Sequence, residues 1–361
     1  MLNVQKFCRE HRDWEELLSA SPYYIKIKKN HEGLILFNYT QGASDSFDPI
    51  VKECRGLVLD SNFNIVRCGF MRFFNFGEAA AAEIDWANSW ATEKMDGTLI
   101  FLYYFNGWRI GTRNTFDAAD ASLDNANYKN FMQVFSRAVI NYQDFSFDCL
   151  NKNYTYCLEL CSPVSRVVVA YKDFTLTHLL TRDNNTLEEV DENIGIPKPK
   201  YYDCRSLEDY QALVKQLDNE EHEGIVVKDI HNNRVKMKTS TFFNLHYMCN
   251  NHNFNFERVF KILRQGEEAE FLAYFPEYRD WFSTVQKRIA AATRILEDIY
   301  TEVKQYKRRN PMQSRRDFAR EYGKDKYFPL LCRAYDENLW DWWLNTEYAF
   351  LTKNLPLEPN N

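Results

Sequence analysis

Long apolar runs are missing from this chain. No stretch of its 361 residues approaches the roughly 20 apolar residues that a membrane-spanning helix needs. The N-terminus, Met1-Leu2-Asn3-Val4-Gln5-Lys6, carries no apolar signal core. Both absences lead us to expect a cytoplasmic protein with no membrane partner. Cysteine pairs are missing too. The nine cysteines are scattered singly, with no CxxC and no Cys/His zinc spacing, so buried thiols are expected and not a disulfide framework. There is no low-complexity tract, internal repeat or Gly-rich Walker loop, so any kinase or phosphatase activity on nucleic-acid ends must come from another protein. Nor is there an excess of positive charge. A formal net charge of −6 excludes a general polyanion binder but leaves room for a basic groove on an acidic body.

What is present is aromatic and locally charged: 27 Phe, 22 Tyr and 8 Trp accompany 27% charged residues. The length allows two domains, each with its own core. Up to about residue 245, short β-branched and aromatic runs recur at 34–39, 56–59, 99–104, 154–160, 167–170, 174–180, 225–227 and 234–237. Helical stretches interrupt them at 128–142 and at 207–217, the second opened by Ser206 as N-cap. Beyond about 246 the strand signals stop, and 256–264, 267–274, 282–306 and 336–351 read as helices. In the longest, Ile289, Ala292, Leu296, Ile299 and Val303 fall near helical spacing. The expected architecture is α+β: a domain of antiparallel sheets with flanking helices over 1–246, and an all-helical domain over 247–361.

The chemistry gathers around Lys94, in Lys94-Met95-Asp96-Gly97. A lysine amine becomes a nucleophile when it is stripped of its proton, and Gly97 permits a backbone approach that a Cβ would block. On four residues alone, a turn with a solvated lysine explains as much. Other charged motifs follow in order. Glu53-Cys54-Arg55-Gly56 presents an arginine fork before a strand, and Arg72 sits beside Phe73-Phe74-Asn75-Phe76. Arg113 follows Gly111-Thr112. Glu159 stands on the opposite strand face from Leu158 and Leu160, where a carboxylate needs an ion pair or a ligand. Glu223 immediately precedes an apolar strand. Lys236 and Lys238 share one strand face about 7 Å apart and repel unless an anion lies between them. A lysine nucleophile, two carboxylates for a divalent metal and a set of phosphate-binding cations suit a metal-nucleotide substrate.

The ordered series ECRG, KMDG, LEL, EGIVVK and VKMK resembles the covalent nucleotidyltransferases, which include ATP-dependent ligases and mRNA capping enzymes. In detail it is similar to the RNA ligase 1 family of tailed phages, the tRNA-repair ligases, over residues 34–246. The matching pieces are ECRGLVLD, RFFNFGE, TEKMDGTLI, LELCSPVSRVVVAY, EGIVVKD and VKMKTSTFFNLH. The resemblance implies that Lys94 is adenylylated and that Arg55 contacts the nucleotide. Arg72 and Arg113 stand where the family has cations near the outer phosphates. Glu159 would bind ribose and help position the metal, Glu223 would be the metal-water ligand, and Lys236 and Lys238 the α-phosphate pair. Tyr39, Leu179 and Val226 fall where the family encloses adenine. Glu93 and Gly97 flank the nucleophile in the same nucleotide site. Met95 replaces an acidic residue common in close relatives.

These matches imply ATP and Mg²⁺ (Mn²⁺ as an alternative) as cofactors. The implied partner is RNA with 5′-phosphate and 3′-hydroxyl ends, single-stranded or tRNA-like, joined by a monomer through lysyl-AMP and RNA-adenylate intermediates. A DNA ligase, a capping guanylyltransferase and a non-catalytic RNA-binding protein on a ligase scaffold are the rival readings. By analogy, the helical domain selects the RNA, with the basic and aromatic residues of 304–322 gripping phosphates and bases. Glu267 and Glu268 are a candidate pair for a structural cation.

Overall fold

The structure, a computed structural model, describes residues 1–40, 47–219, 221–242, 255–344 and 346. It divides into two compact units, Met1–His252 with Ala269–Tyr274, and Asn253–Glu268 with Phe275–Asn361. The expected boundary at 246/247 lies outside the described residues.

The first unit is built on three sheets. The first has the order β1 (Ile25–Lys29), β2 (Ile35–Tyr39), β3 (Arg55–Leu59) and β4 (Ile65–Arg67). In β1, Ile-Lys-Ile-Lys-Lys alternates, so Ile25 and Ile27 turn inward while the lysines keep their ammonium groups in water. Two N-terminal helices, α1 (Asn3–Glu10) and α2 (Trp14–Ser19), cover that face with Val4 and Leu18. The Glu53 carboxylate accepts the Asn3 and Val4 N–H groups at 3.0 and 2.9 Å, satisfying donors that the first turn of α1 leaves open.

The remaining strands form two five-stranded sheets. One runs β11 (Glu189–Val190), β10 (Thr175–Asp183), β9 (Tyr154–Cys161), β7 (Thr98–Tyr104) and β8 (Trp108–Thr112). The helix Phe131–Val139 buries Val134, Phe135 and Ala138 against its Ile100, Leu102, Leu158, Leu160 and Leu176. Burial of each such large aliphatic side chain is worth roughly 1.5–3 kcal/mol. The other sheet runs β12 (Tyr201–Tyr202), β6 (Ser89–Lys94), β13 (Gly224–Asp229), β14 (Arg234–Lys238) and β5 (Phe74–Asn75). The helix Leu207–Gln216 backs it, starting at Ser206, whose Oγ accepts the Asp209 N–H as expected of an N-cap. All pairings are antiparallel except β14 with β5, which is parallel. The α+β expectation holds, with that one departure from antiparallel pairing.

Two sequence expectations fail here. Residues 167–170 form no strand, because the Val168 and Val169 N–H groups donate to Asp96 Oδ2 at 2.8 and 2.7 Å instead of to a ladder. The helix expected over 336–351 starts later, at Leu339, and is described to Leu344, because 336–338 form a turn with Glu337 at φ +61°; residues 345 and 347–351 lie outside the described set.

The second unit is helical, as expected. Its longest helix, Arg279–Arg309, buries Val285, Ala292, Leu296, Ile299 and Val303, while Ile289 stays half-buried. Of the interleaved aromatics of 304–322, two are core residues and do not face solvent. Tyr306 and Phe318 are buried, 4.9 Å apart edge to face, and Phe318 packs 4.7 Å from Tyr335. Lys307 pairs with Glu337 and Arg315 with Asp336, so the exposed cations left on this stretch include Arg308, Arg309 and Arg316. Aromatics at this spacing are core, for the usual reason that water rejects them. Glu268 accepts a hydrogen bond from Gln286 Nε2 at 2.6 Å. Among the described residues, no three His, Cys, Asp or Glu cluster as a metal site, and no helix is long and apolar enough to cross a membrane.

Candidate active site

The two five-stranded sheets are joined by the link from Lys94, the last residue of β6, to Thr98, the first of β7. Gly97 in that link is forced. A Cβ there would stand 2.5 Å from the Leu160 carbonyl oxygen and 2.8 Å from Cys161 Sγ. The close approach lets the Gly97 N–H donate to Glu159 Oε1 at 3.1 Å, which ties the turn after Lys94 to β9.

Strand register decides the rest. Gly224 pairs with Lys94 of β6 on one side and with Lys238 of β14 on the other. Glu223, one residue earlier, is thereby set between two amines. Its Oε2 lies 2.5 Å from Lys94 Nζ and its Oε1 3.6 Å from Lys238 Nζ. Gly224 itself has φ +146°, and a Cβ would clash with the Met237 carbonyl at 2.1 Å. Glu223 is 4% exposed, and the two cations are its ion-pair partners.

A cavity of about 1120 Å³ opens beside this cluster. Of the residues singled out in the sequence, Arg55, Glu93, Lys94, Gly97, Arg113, Glu159, Leu179, Val226, Lys236 and Lys238 line it. Alternation on β14 does this for the lysines, with Val235 and Met237 buried on the opposite face. Glu159 sits on β9 with its pKa pushed up to about 7. Burial is the main cause and Glu223 adds to it, against the opposing charges of Lys94 and Arg55 and the Gly97 N–H.

Glu223, Arg72 and Tyr39 are not on the wall of this cavity. Glu223 lies behind the two amines. Tyr39 is clamped between guanidinium groups, with Arg72 Cζ 4.2 Å and Arg113 Cζ 4.3 Å from its ring centroid. Burial raises its phenol, but Arg113, Arg55 and Arg72 outweigh that and hold it below the usual value. Two arginines thus lie against the Tyr39 ring. Glu93 faces the cavity and bonds His222 Nδ1 at 2.8 Å.

The sequence reading missed three groups. Asp96, 5% exposed, orders 168–169 through its two N–H bonds, and its own N–H donates to Tyr171 Oη at 3.1 Å. Lys228 and Arg234 also line the cavity and pair with Glu189. Arg234 continues the Lys236/Lys238 alternation, so that signal was available. Glu189 carried none, since its shorter contacts are to Lys228 and Arg234, 39 and 45 residues away.

A lysine at a tight turn, a carboxylate between two lysines and a basic cavity between sheets are the parts that nucleotidyl transfer calls for. A family model described as RNA ligase matches residues 53–257. That is more than half of the chain, which belongs to the RNA ligase family. A putative bifunctional polynucleotide kinase/RNA ligase of Autographa californica nuclear polyhedrosis virus is 31% identical over 279 residues, covering 71% of this chain and 40% of that protein. An RNA ligase of Rhodothermus phage RM378 is 30% identical over 179 residues, covering 40% of each. The chain thus spans about 40% of the length of both relatives. Among solved structures, an archaeal ATP-dependent RNA ligase overlaps 75% of this chain and 74% of its own, at 15% identity and a TM-score of 0.47, too loosely to carry an argument.

Proposed function

We propose that this chain is an ATP-dependent RNA ligase that joins 5′-phosphate and 3′-hydroxyl RNA ends, with Lys94 as the adenylyl carrier. The observation that carries the reading is the placement of Glu223 between Lys94 and Lys238, 2.5 and 3.6 Å away, beside a cavity lined by Arg55, Arg113 and Lys236.

Lys94 must lose a proton to attack, and Glu223 is in hydrogen-bond reach to take it. The Lys94 nitrogen forms a bond to the α-phosphorus of ATP, the α–β P–O bond breaks, and pyrophosphate leaves. Lys236 and Lys238 offset the charge gathering on the α-phosphate, and Arg55 and Arg113 hold the nucleotide. Leu179 and Val226 offer the apolar surface that a base needs. Arg72 acts by holding Tyr39, and through it Arg113, in place. The AMP then passes to an RNA 5′-phosphate, and a 3′-hydroxyl displaces it to seal the strand.

The residues fit a divalent metal. Glu159 and Glu223 are hard oxygen donors, and the raised Glu159 carboxyl is the kind of group a cation would restore to its charged form. Glu159 would hold Mg²⁺ or Mn²⁺ from the cavity wall and Glu223 would hold a water of its shell, with phosphate oxygens completing it, as no third protein ligand clusters there among the described residues. When bound, the metal supplies neutralisation of phosphate charge. The helical unit, acting in a monomer and through exposed cations such as Arg308 and Arg316, is proposed to contribute to RNA choice, with end-healing left to another protein.

The test is incubation with α-labelled ATP and Mg²⁺. Wild type should take up label that survives denaturing electrophoresis, and Lys94→Ala should take up none. Equal labelling of the two would remove Lys94 from this role. GTP competition and nicked-DNA substrates separate the capping and DNA-ligase alternatives.

A further inference from the structure

A second cavity, of about 570 Å³, adjoins the first. Phe70, Phe73, Glu189 and Arg234 face both and form the partition. Lys52, Arg72 and Arg182 extend the cationic wall on the far side, against the carboxylates of Glu188 and Glu189. Glu189 does little to offset them, because it is already saturated. Arg234 grips it with two bonds of 2.7 and 2.5 Å, Lys228 Nζ lies at 2.7 Å and Arg182 Nη2 at 3.3 Å. Those partners hold its pKa at about 2 in spite of burial, so it stays charged, and the knot keeps a surplus of positive charge in a chain of net −6.

Rings are interleaved with these cations. Arg234 Cζ lies 5.4 Å from the Phe70 centroid, Arg72 Cζ 4.6 Å and Lys52 Nζ 5.8 Å from that of Phe74, and Phe70 meets Phe73 edge to face at 5.9 Å. A bare polyphosphate has no use for rings. Cations together with ring surface, in a hollow large enough for one nucleotide, are what single-stranded nucleic acid selects.

We propose that this second cavity holds the 5′-terminal nucleotide of the RNA to be joined and presents its phosphate across the partition to the cavity of Lys94. The proposal rests on the reading of Lys94 as adenylyl carrier. In the step it serves, an oxygen of the RNA 5′-phosphate bonds to the AMP phosphorus. The P–N bond to Lys94 breaks, its electron pair returns to nitrogen, and the amine takes a proton.

Two single variants test it from opposite sides, Lys52→Glu and Glu188→Lys, each checked for an unchanged thermal midpoint. With a 5′-phosphorylated single-stranded oligoribonucleotide, Lys52→Glu should raise the RNA KM for AMP transfer about tenfold and Glu188→Lys should lower it, as phosphate contacts dictate. Neither should change lysyl-AMP formation from ATP. If Lys52→Glu instead slows lysyl-AMP formation and relieves inhibition by pyrophosphate, the cavity serves the leaving pyrophosphate and the proposal is overturned. Unmoved RNA KM values in both variants overturn it as well. Should wild type take no label from ATP, the reading of Lys94 fails by itself. Fluorescence anisotropy with 5′-phosphorylated and 5′-hydroxyl oligonucleotides then decides the cavity without any chemistry: Lys52→Glu must weaken binding of the former selectively, and equal binding by both proteins sinks the site.

Discussion

Glu223 and Glu189 each gather cations beside the same cavity, and they do so differently. Glu223 is bound unequally by two lysines, at 2.5 and 3.6 Å. Glu189 has both oxygens filled by two guanidinium groups and one amine. A lysine can surrender its proton in reach of a carboxylate, whereas a guanidinium cannot. The first cluster can therefore be unmade and remade within a reaction cycle. The second is a fixed tie between the edge strand β11 and the strands β13 and β14, holding two sheets around the cavity.

The contrast is sharpest at Lys94. Lys94→Ala should lower covalent labelling by ATP at least about a thousandfold while leaving the thermal midpoint within a few degrees, because the buried Glu223 keeps Lys238, 3.6 Å away, as its cation. Labelling at wild-type rate would dissolve the distinction between the two clusters. Glu189→Gln should do the reverse. It strands three cations in a half-buried setting and should cost about 3–5 kcal/mol in chemical denaturation. The Glu189 contribution also has a sign in pH. Its folded pKa, about 2, lies below the 4.5 usual for a glutamate, so the stabilisation is present above about pH 4.5 and is lost as pH falls towards 2. Wild type should therefore shed stability in that window faster than Glu189→Gln, and parallel acid titrations would count against the tie.

Glu159 predicts the opposite slope. With a folded pKa of about 7 against 4.5, it withdraws stability as pH rises from about 4.5 to 7. Glu159→Gln should thus be more stable than wild type at pH 8, by on the order of 1–2 kcal/mol, and indistinguishable at pH 4. It should also be poorly active, the stability cost of the carboxylate being the mark of a functional group. A variant less stable at pH 8 would assign Glu159 to the scaffold. The smallest effect belongs to Arg234→Lys, which keeps the charge but loses one of two bonds to Glu189. A loss of about 1 kcal/mol in denaturant unfolding is expected, and none at all would mean the fork is not used.

Much of this was legible in the residues. Alternation in Arg234-Val235-Lys236-Met237-Lys238 places both lysines on one face, as β14 does, and Gly97 after Asp96 signals a close approach, which Leu160 makes. Where local pattern misled, a distant partner had intervened. Val167-Val168-Val169 has strand composition, yet Asp96 takes the two N–H groups a ladder would need. Tyr306 and Phe318 look like base-stacking residues among arginines, yet they form a core with Tyr335. Arg72 and Tyr39, whose motifs imply nucleotide contacts, are packed against each other and are not among the residues lining the larger cavity.

By itself, then, the chain determined its elements, its family and the residue types of its site, because periodicity, turn chemistry and ordered motifs are local quantities. Which carboxylate meets which cation was decided only on folding. Antiparallel register brings Lys94, Glu223 and Lys238 together across 145 residues, and Glu189 finds Arg234 45 residues away. Coulomb attraction depends on distance in space, and sequence spacing is silent about that.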